Sequence, residues 1–405
     1  MAQIIGTRTT KQAIDDARVV RSVHPDISLL DPDATPLITL LNKVSGRKQA
    51  VDQTKFEWIE DDYAARWAQN GSGTVFSASG STLITVVDGT LFIAGDLLVA
   101  PKAVGSSALP EVMRVTGVTG NQIQVVRDIG GVGVDTILPS AALRLIGSAF
   151  EENSAFPSVK QTTPATRFNY TQIIRTATDF SGTAIAIKTY GTKGSDREFE
   201  HRKKLIEHKE KINSALIWGQ RSESLSGGPT SKPIRTTDGI NAVIQTNVTD
   251  AAGILTRKKL DAFFRAGFRY GSKKKVFVCA PIIRSAINEW AINFLNISPS
   301  ETKWGVTITR IETPYGIAAM VHDWMLESGV SGQNGFGNWG FLLDLDHIKY
   351  RHLAGNGENR DTRIERDSVK DGVDGKRDEI LTEVGFEIRQ DKYHAKIFNV
   401  TDWMQ

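Results

Sequence analysis

Cysteine is almost absent: Cys279 stands alone in 405 residues, so no disulfide framework can form within one chain. Its setting, VFVCAP, is an apolar run, which points to a buried strand thiol in a reducing cytoplasm rather than to a nucleophile. No apolar stretch approaches the length needed to cross a bilayer, and MAQIIGTRTTKQAIDD lacks a signal-peptide core. The expectation is a chain without a membrane partner. Charge of one sign is also scarce. A net charge of +3 with 23% charged residues argues against a protein that coats nucleic acid by neutralising phosphates, while permitting a mildly basic face. The signatures G-x-x-x-x-G-K-[ST], H-E-x-x-H and G-x-S-x-G are missing. GFGNWG (335–340) has the letters of a dinucleotide loop. A strand follows it and loop-like ESGVSGQN precedes it, so no helix N-terminus can meet a pyrophosphate, and it is read as a flexible loop.

What is present is ordinary globular material, 40% hydrophobic, and enough of it for two or three domains. The first thirty-five residues are polar and turn-rich, an extended arm more than a core. In LDPDATPLITLL, Thr35 suits an N-cap and Pro36 a first helical position. TKFEWIEDDY alternates with the strand period. From Ser81 to Gly147 short β-type runs separated by Gly, Asp and Asn turns predict a small all-β barrel or sandwich inserted in a larger domain. NYTQIIRTATDFSGTAIAI resumes the strand pattern. Ser195 and Glu198 then form a capping box for a long helix that stops at Gly219. Its apolar stripe, Phe199, Leu205, Ile206, Ile212 and Leu216, is narrow. The pairs Glu198/Arg202, Glu200/Lys204 and Glu207/Lys211 are spaced for ion pairing, so the helix is expected to lie across a surface. Thr256 caps RKKLDAFFRAGFRY, KKKVFVCA is a strand, and Pro281 opens another helix. VTITRIE and IAAMVHD form a hairpin around TPYG. WGFLLDLDHIKYRHL and ILTEVGFEIRQDKYHAKIFNV read as long closing strands, the alternation of the second slipping near Gln390 and Asp391, which suggests a bulge or tight turn.

DSVKDGVDGKRDE (Asp367 to Glu379) resembles a calcium loop. Asp367, Asp371 and Gly372 fit positions 1, 5 and 6 of an EF-hand, but Val369 at position 3 has no ligand atom and Asp378 replaces the bidentate Glu at position 12. Between Glu358 and Glu379 eight acidic and six basic residues are interspersed, a poor cage for a divalent cation. The expectation is an intersubunit electrostatic contact made by Arg360, Asp361, Arg363, Glu365, Arg366, Asp367 and Asp371, with no metal and no cofactor. His201 and His208, two helical turns apart, are read as solvated. The runs HRKK (201–204), RKK (257–259) and KKK (273–275) are read as ordinary solvated faces.

In their order and spacing, LDPDATPLITLL, FEWIEDD, EFEHRKKLIEHKEKINSALIWG, RIETPYGIAAMVHD, LDLDHIKYRHL and DEILTEVGFEIRQDKYHAKI together resemble the major capsid proteins of tailed bacteriophages. The likeness is to a branch of the Hong Kong ninety-seven-type fold with a β-rich insertion. The resemblance implies an α+β fold in six parts. An N-terminal arm would span 1–35, and the start of the core and the first side of an extended loop 36–80. The inserted β-barrel-like domain would span 81–147 and the second side of the loop 148–192. A spine helix and peripheral domain would span 193–280, and an axial domain with the closing strands 281–405. It implies no catalysis and no catalytic residue. The implied partners are the chain itself, as pentamers and hexamers of an icosahedral shell, with portal, scaffolding and decoration proteins. Packaged double-stranded DNA would lie on the inner face without sequence specificity. The implied locations are the virion and, during assembly, the host cytoplasm. A virion-surface or tail adhesin using the β-module is the alternative reading.

Overall fold

Pro36 opens the first helix, α1 (Pro36–Lys43), where its fixed φ and missing N–H suit an N-terminal turn. The computed structural model describes residues 36–43, 46–71, 82–101, 109–134, 136–187, 195–224, 232–294, 310–327, 338–367, 372 and 374–404. The expected arm, with Thr35, lies outside them. After β1 (Lys48–Val51) and β2 (Lys55–Glu60) come β3 (Trp67–Gln69), β4 (Leu83–Thr85), β5 (Asp96–Val99), β6 (Val112–Thr119), β7 (Gln122–Val126) and β8 (Ala142–Ser148). The chain returns through β9 (Ala165–Tyr170) and β10 (Gln172–Ser181) to α2 (Gly182–Ala186) and α3 (Asp196–Trp218). Next are β11 (Ser222–Ser224), β12 (Ile234–Thr236), α4 (Ile240–Val243), β13 (Val248–Thr256) and α5 (Arg257–Gly267). The Thr256 hydroxyl caps α5 by accepting from the Lys259 N–H. Then follow β14 (Lys274–Cys279), α6 (Pro281–Phe294), β15 (Arg310–Thr313), β16 (Gly316–His322), β17 (Asn338–Leu343), β18 (Ile348–Gly355), β19 (Glu358–Asn359), β20 (Arg363–Glu365), β21 (Gly375–Ile388) and β22 (Ala395–Met404).

The described residues fall into two compact units, Ile59–Thr166 and the remainder. In the larger unit one sheet runs β1-β18-β21-β10, with β19 and β20 on its margin, and a second runs β13-β22-β17-β14-β16-β15. A first apolar core gathers α1, the C-terminal half of α3 and α4 with residues of both sheets, Ile174, Val384, Val278 and Phe341 among them. Along β14, Val278 joins that core, while Phe277 and Cys279 point to a second one beneath α5 and α6. This two-sided burial explains why VFVCAP is apolar throughout. Cys279 is fully buried, and burial pushes its thiol up to about 12.

The smaller unit is built on one sheet, β3-β8-β5-β6-β7-β4. Its two edges meet at an Asn70–Val86 bridge, where Gly71 N donates to Thr85 O at 2.9 Å and Val87 N to Gln69 O at 2.9 Å. The sheet therefore closes on itself around Leu98, Met113, Ile123 and Leu143. The unit is wider than the Ser81–Gly147 expected. β3, before Ser81, is needed for closure, and beyond Gly147 Ala149 N bonds Gly95 O.

Other expectations are corrected. WGFLLDLDHIKYRHL is not one strand. It breaks at Asp344, whose carboxylate accepts from Asp346 N in a 3₁₀ turn (Leu345–His347), so that β17 serves one sheet and β18 the other. A boundary at 280/281 would separate β14 from β16 and β17, to both of which it is hydrogen-bonded. The slip near Gln390 and Asp391 is a tight turn, one of its two expected forms, with Gln390 at φ 54°, and it carries the chain from β21 to β22 in the other sheet. Asn338–Gly340 of GFGNWG lie within β17; 335–337 lie outside the described residues. Ser195 stands at the start of α3 but makes no side-chain cap. Gly219 ends α3 through space rather than a left-handed turn, since a Cβ there would meet Thr237 O at 2.4 Å and Ala215 O at 2.5 Å.

Candidate assembly surface

Strands β2 and β9 form a two-stranded ribbon of their own, a structure with little intrinsic stability. Its base is pinned by Asn169, which is buried. The Asn169 Nδ2 group donates to Thr237 Oγ1 at 3.0 Å, Asp238 O at 3.2 Å and Phe386 O at 2.7 Å, while its Oδ1 accepts from Asp238 N at 2.9 Å. The Phe168 ring receives Lys55 at 4.4 Å and Arg221 at 4.2 Å. Where the chain runs on into the smaller unit, Tyr63 is fully exposed and Ile59 largely so.

The charged stretch from Glu358 to Glu379 is engaged mostly within its own chain. Arg360 Nε donates to Glu383 Oε2 at 2.5 Å. Asp361 is half-buried; burial works to raise its carboxyl, but Lys48 beside it prevails and holds it below the usual range. Arg363 bridges Glu358 at 3.1 Å and Glu365 at 2.7 Å. Asp367 pairs with Arg197 at 2.8 Å. Arg366 is exposed and forms no ion pair among the described residues; Asp371 lies outside them. Six of the seven site residues thus lie in or beside β19 and β20, and five of the six are paired within their own chain.

Arg197 was not singled out by sequence, yet it organises this stretch. Its Nε donates to Asp378 Oδ2 at 2.7 Å, and its Nη2 reaches both Asp378 and Asp367. The Asp378 carboxyl, with a side chain 2% exposed, is held low first by that hydrogen bond. The guanidinium thus supplies positive charge where the calcium reading would put a metal. A signal was available: a cation in the first turn of a helix opposes the dipole, so Arg197 in SDREFE calls for a carboxylate partner elsewhere.

The helix histidines are not solvated as expected. His208 is fully buried, its Nδ1 at 3.0 Å from Thr176 Oγ1 and its Nε2 at 2.8 Å from Thr382 Oγ1. Burial, with Lys211 nearby, lowers its pKa to about 4. Lys211 bonds Thr176 at 3.0 Å rather than Glu207. Glu200 and Lys204 do approach, at 3.9 Å, whereas Arg202 Nε donates to the Glu198 backbone carbonyl at 3.4 Å.

A family model described as SU10 major capsid protein matches residues 3–401. The chain is similar to the major capsid protein of Pseudomonas phage PaMx41, 23% identical over 340 residues, covering 78% of each chain. Among solved structures, the capsid asymmetric unit of Cyanophage A-1(L) matches with a TM-score of 0.53 at 11% identity. That match covers 96% of this chain and 98% of the other, a likeness of fold.

Proposed function

The chain belongs to the SU10 major capsid protein family, and from that premise we propose how it builds its shell. It is a phage major capsid protein with the Hong Kong ninety-seven-type α+β fold, a structural component and not an enzyme. This replaces the adhesin alternative. Copies associate as pentamers and hexamers, assembling in the host cytoplasm with portal, scaffolding and decoration proteins and enclosing double-stranded DNA. The sheet containing β10, β18 and β21, with α3 as spine, is the peripheral domain. The sheet from β13 to β22 is the axial domain, and the closed β-unit is the insertion.

The observation that carries this reading is the β2-β9 ribbon. Two strands do not bury enough surface to offset about 1–2 kcal/mol of backbone entropy per residue. A neighbouring copy supplies the missing contact, which makes the ribbon the extended loop. The stretch Arg360–Asp371 forms a ring contact in which Arg366 and the outer edge of the Glu358–Arg363–Glu365 triad face the next copy. Each pair is worth about 0–1 kcal/mol, repeated five or six times around a ring.

Negative-stain microscopy of the expressed chain, with its scaffold where needed, should show rings or shells; a strict monomer refutes the reading. The variant Arg363→Glu with Arg366→Glu should lower shell yield, with added salt acting in the same direction. Chelator should leave yield unchanged, and a calcium-specific rescue would refute the ring contact.

A further inference from the structure

Basic residues are concentrated in one place. From Arg257 to Lys275 there are eight cations and one anion, Asp261. That is +7 in a chain whose total is +3, leaving −4 for everything else. The fold gathers part of this band around a groove of about 660 Å³, walled by Arg265, Arg269 and Lys273 and floored by Phe268, Pro314 and Tyr315. Tyr270 is exposed at its rim, with the Arg269 guanidinium 5.4 Å from the ring centre.

Two features separate this band from an ordinary solvated face. First, five of its eight cations lack carboxylates. Around α3 and the Glu358–Glu379 stretch, arginine after arginine is bound to Asp or Glu. Among the described residues, Lys258, Arg265, Arg269, Lys273 and Lys274 form no ion pair. Second, the turn that presents Arg269 and Lys273 is held rigid. Lys275, buried beneath it, donates to Gly267 O at 2.6 Å, Tyr270 O at 2.7 Å and Tyr393 O at 2.6 Å. The neighbouring carboxylate, Asp344, is itself buried and accepts from Ser272 N at 2.7 Å. Cations fixed in place and left without counter-charges form a surface arranged for an external polyanion.

We propose that this band, centred on Arg265, Arg269 and Lys273, binds the phosphate backbone of double-stranded DNA without reading sequence. The inference rests on the reading that the shell encloses duplex DNA. A polyphosphate suits it better than an acidic segment of a second copy. The cations extend past the groove at both ends, along a helix about 16 Å long, whereas the acids around Glu358–Glu379 are already held by arginines of their own chain. Duplex DNA presents a negative charge about every 1.7 Å and can engage the whole band, releasing counterions as it does.

The test is fluorescence anisotropy of a labelled random-sequence duplex titrated with the full-length, unassembled chain across a salt series. Shell yield is scored in parallel. Arg265→Gln with Arg269→Gln should reduce the slope of log affinity against log salt by about 2, at roughly 0.9 per lost phosphate contact. Lys258→Gln with Lys274→Gln should do the same, while Arg144→Gln in the β-unit should not. Shell yield should be unchanged throughout, since these side chains are exposed. A slope unaltered by both pairs overturns the proposal while leaving the capsid reading standing. Loss of shells with DNA affinity intact also overturns it, because the band then faces an acidic protein surface. Displacement of the duplex by polyglutamate as readily as by unlabelled duplex would have the same meaning.

Discussion

Replacing Arg197 by Met is the sharpest test of how α3 is anchored. Asp378 is almost completely buried and Arg197 is 19% exposed; the substitution keeps most of the side-chain volume but leaves a buried carboxylate without its cation. Breaking a buried pair from one side costs about 3–5 kcal/mol, and the partial exposure of Arg197 places this case near the lower end, about 3 kcal/mol. In a unit of about 300 residues that corresponds to a fall of about 5 °C in melting temperature. The pH dependence has a definite sign. With Arg197 present the folded Asp378 carboxyl lies below its ordinary value. The stability it contributes is therefore present above the unfolded value of about 3.9 and lost as pH falls through the folded one. Without Arg197, burial raises Asp378 against only the weaker opposition of the Asp367 N–H hydrogen bond and His201, so acid unfolding should begin at higher pH. Calorimetry of the unassembled chain at neutral and mildly acidic pH measures both effects. Adding Asp378→Asn to Arg197→Met should recover part of the loss, because the stranded charge is gone. Unchanged melting in the single variant, or no recovery in the double, would refute the reasoning.

His208 should give a separate acid signature. Its folded pKa of about 4 lies below the ordinary 6.5, so stability present above pH 6.5 is lost as pH falls towards 4, by about 3 kcal/mol at 1.36 kcal/mol per unit. His208→Gln should flatten that limb in denaturant titrations, and an identical limb would exclude His208 as its source. Replacing Asp61–Pro164 by an Asn-Gly turn should leave the larger unit folded, because β2 and β9 then meet as a hairpin. Hydrogen exchange in β21 that rose to the level of the unfolded chain would show that the two units are not separable.

The legible parts of the fold were those set by local chemistry. Pro36, Thr256 and Pro281 announced helix starts because their physical effect is confined to one turn. The slip at Gln390 and Asp391 was visible because a change of sheet breaks a period-two pattern. The break at Asp344 was not visible, since LLDLDHI keeps its apolar alternation while the chain leaves one sheet for another. Closure of the β-unit was equally hidden. It depends on β3 pairing with β8, seventy-odd residues away in sequence, and no local signal fixes such a pairing. His208 was misread for a related reason. A histidine on a charged helix is ordinarily wet, and only Thr176 and Thr382, from strands far along the chain, make a dry site tolerable for the neutral ring.

The charged stretch shows where reading by composition stops. Eight acids and six bases in alternation suit either a contact between copies or a fold of the chain upon itself, and composition cannot separate the two. The fold divides them: Arg360, Asp361, Arg363, Glu365 and Asp367 all have partners in their own chain. This division fits a subunit that must join a ring without locking prematurely. Charges spent on shaping a subunit's own loop act once, before assembly, whereas a charge left for the neighbour is multiplied by every copy in the ring. A few weak contacts of about 0–1 kcal/mol each then suffice to select register while remaining reversible. On the proposed ring contact, Arg366 is of the second kind. The five unpaired cations from Lys258 to Lys274 would be an excess for that purpose, and their separation from the Arg366 stretch, on a different sheet, is the reason to assign them a different polyanion.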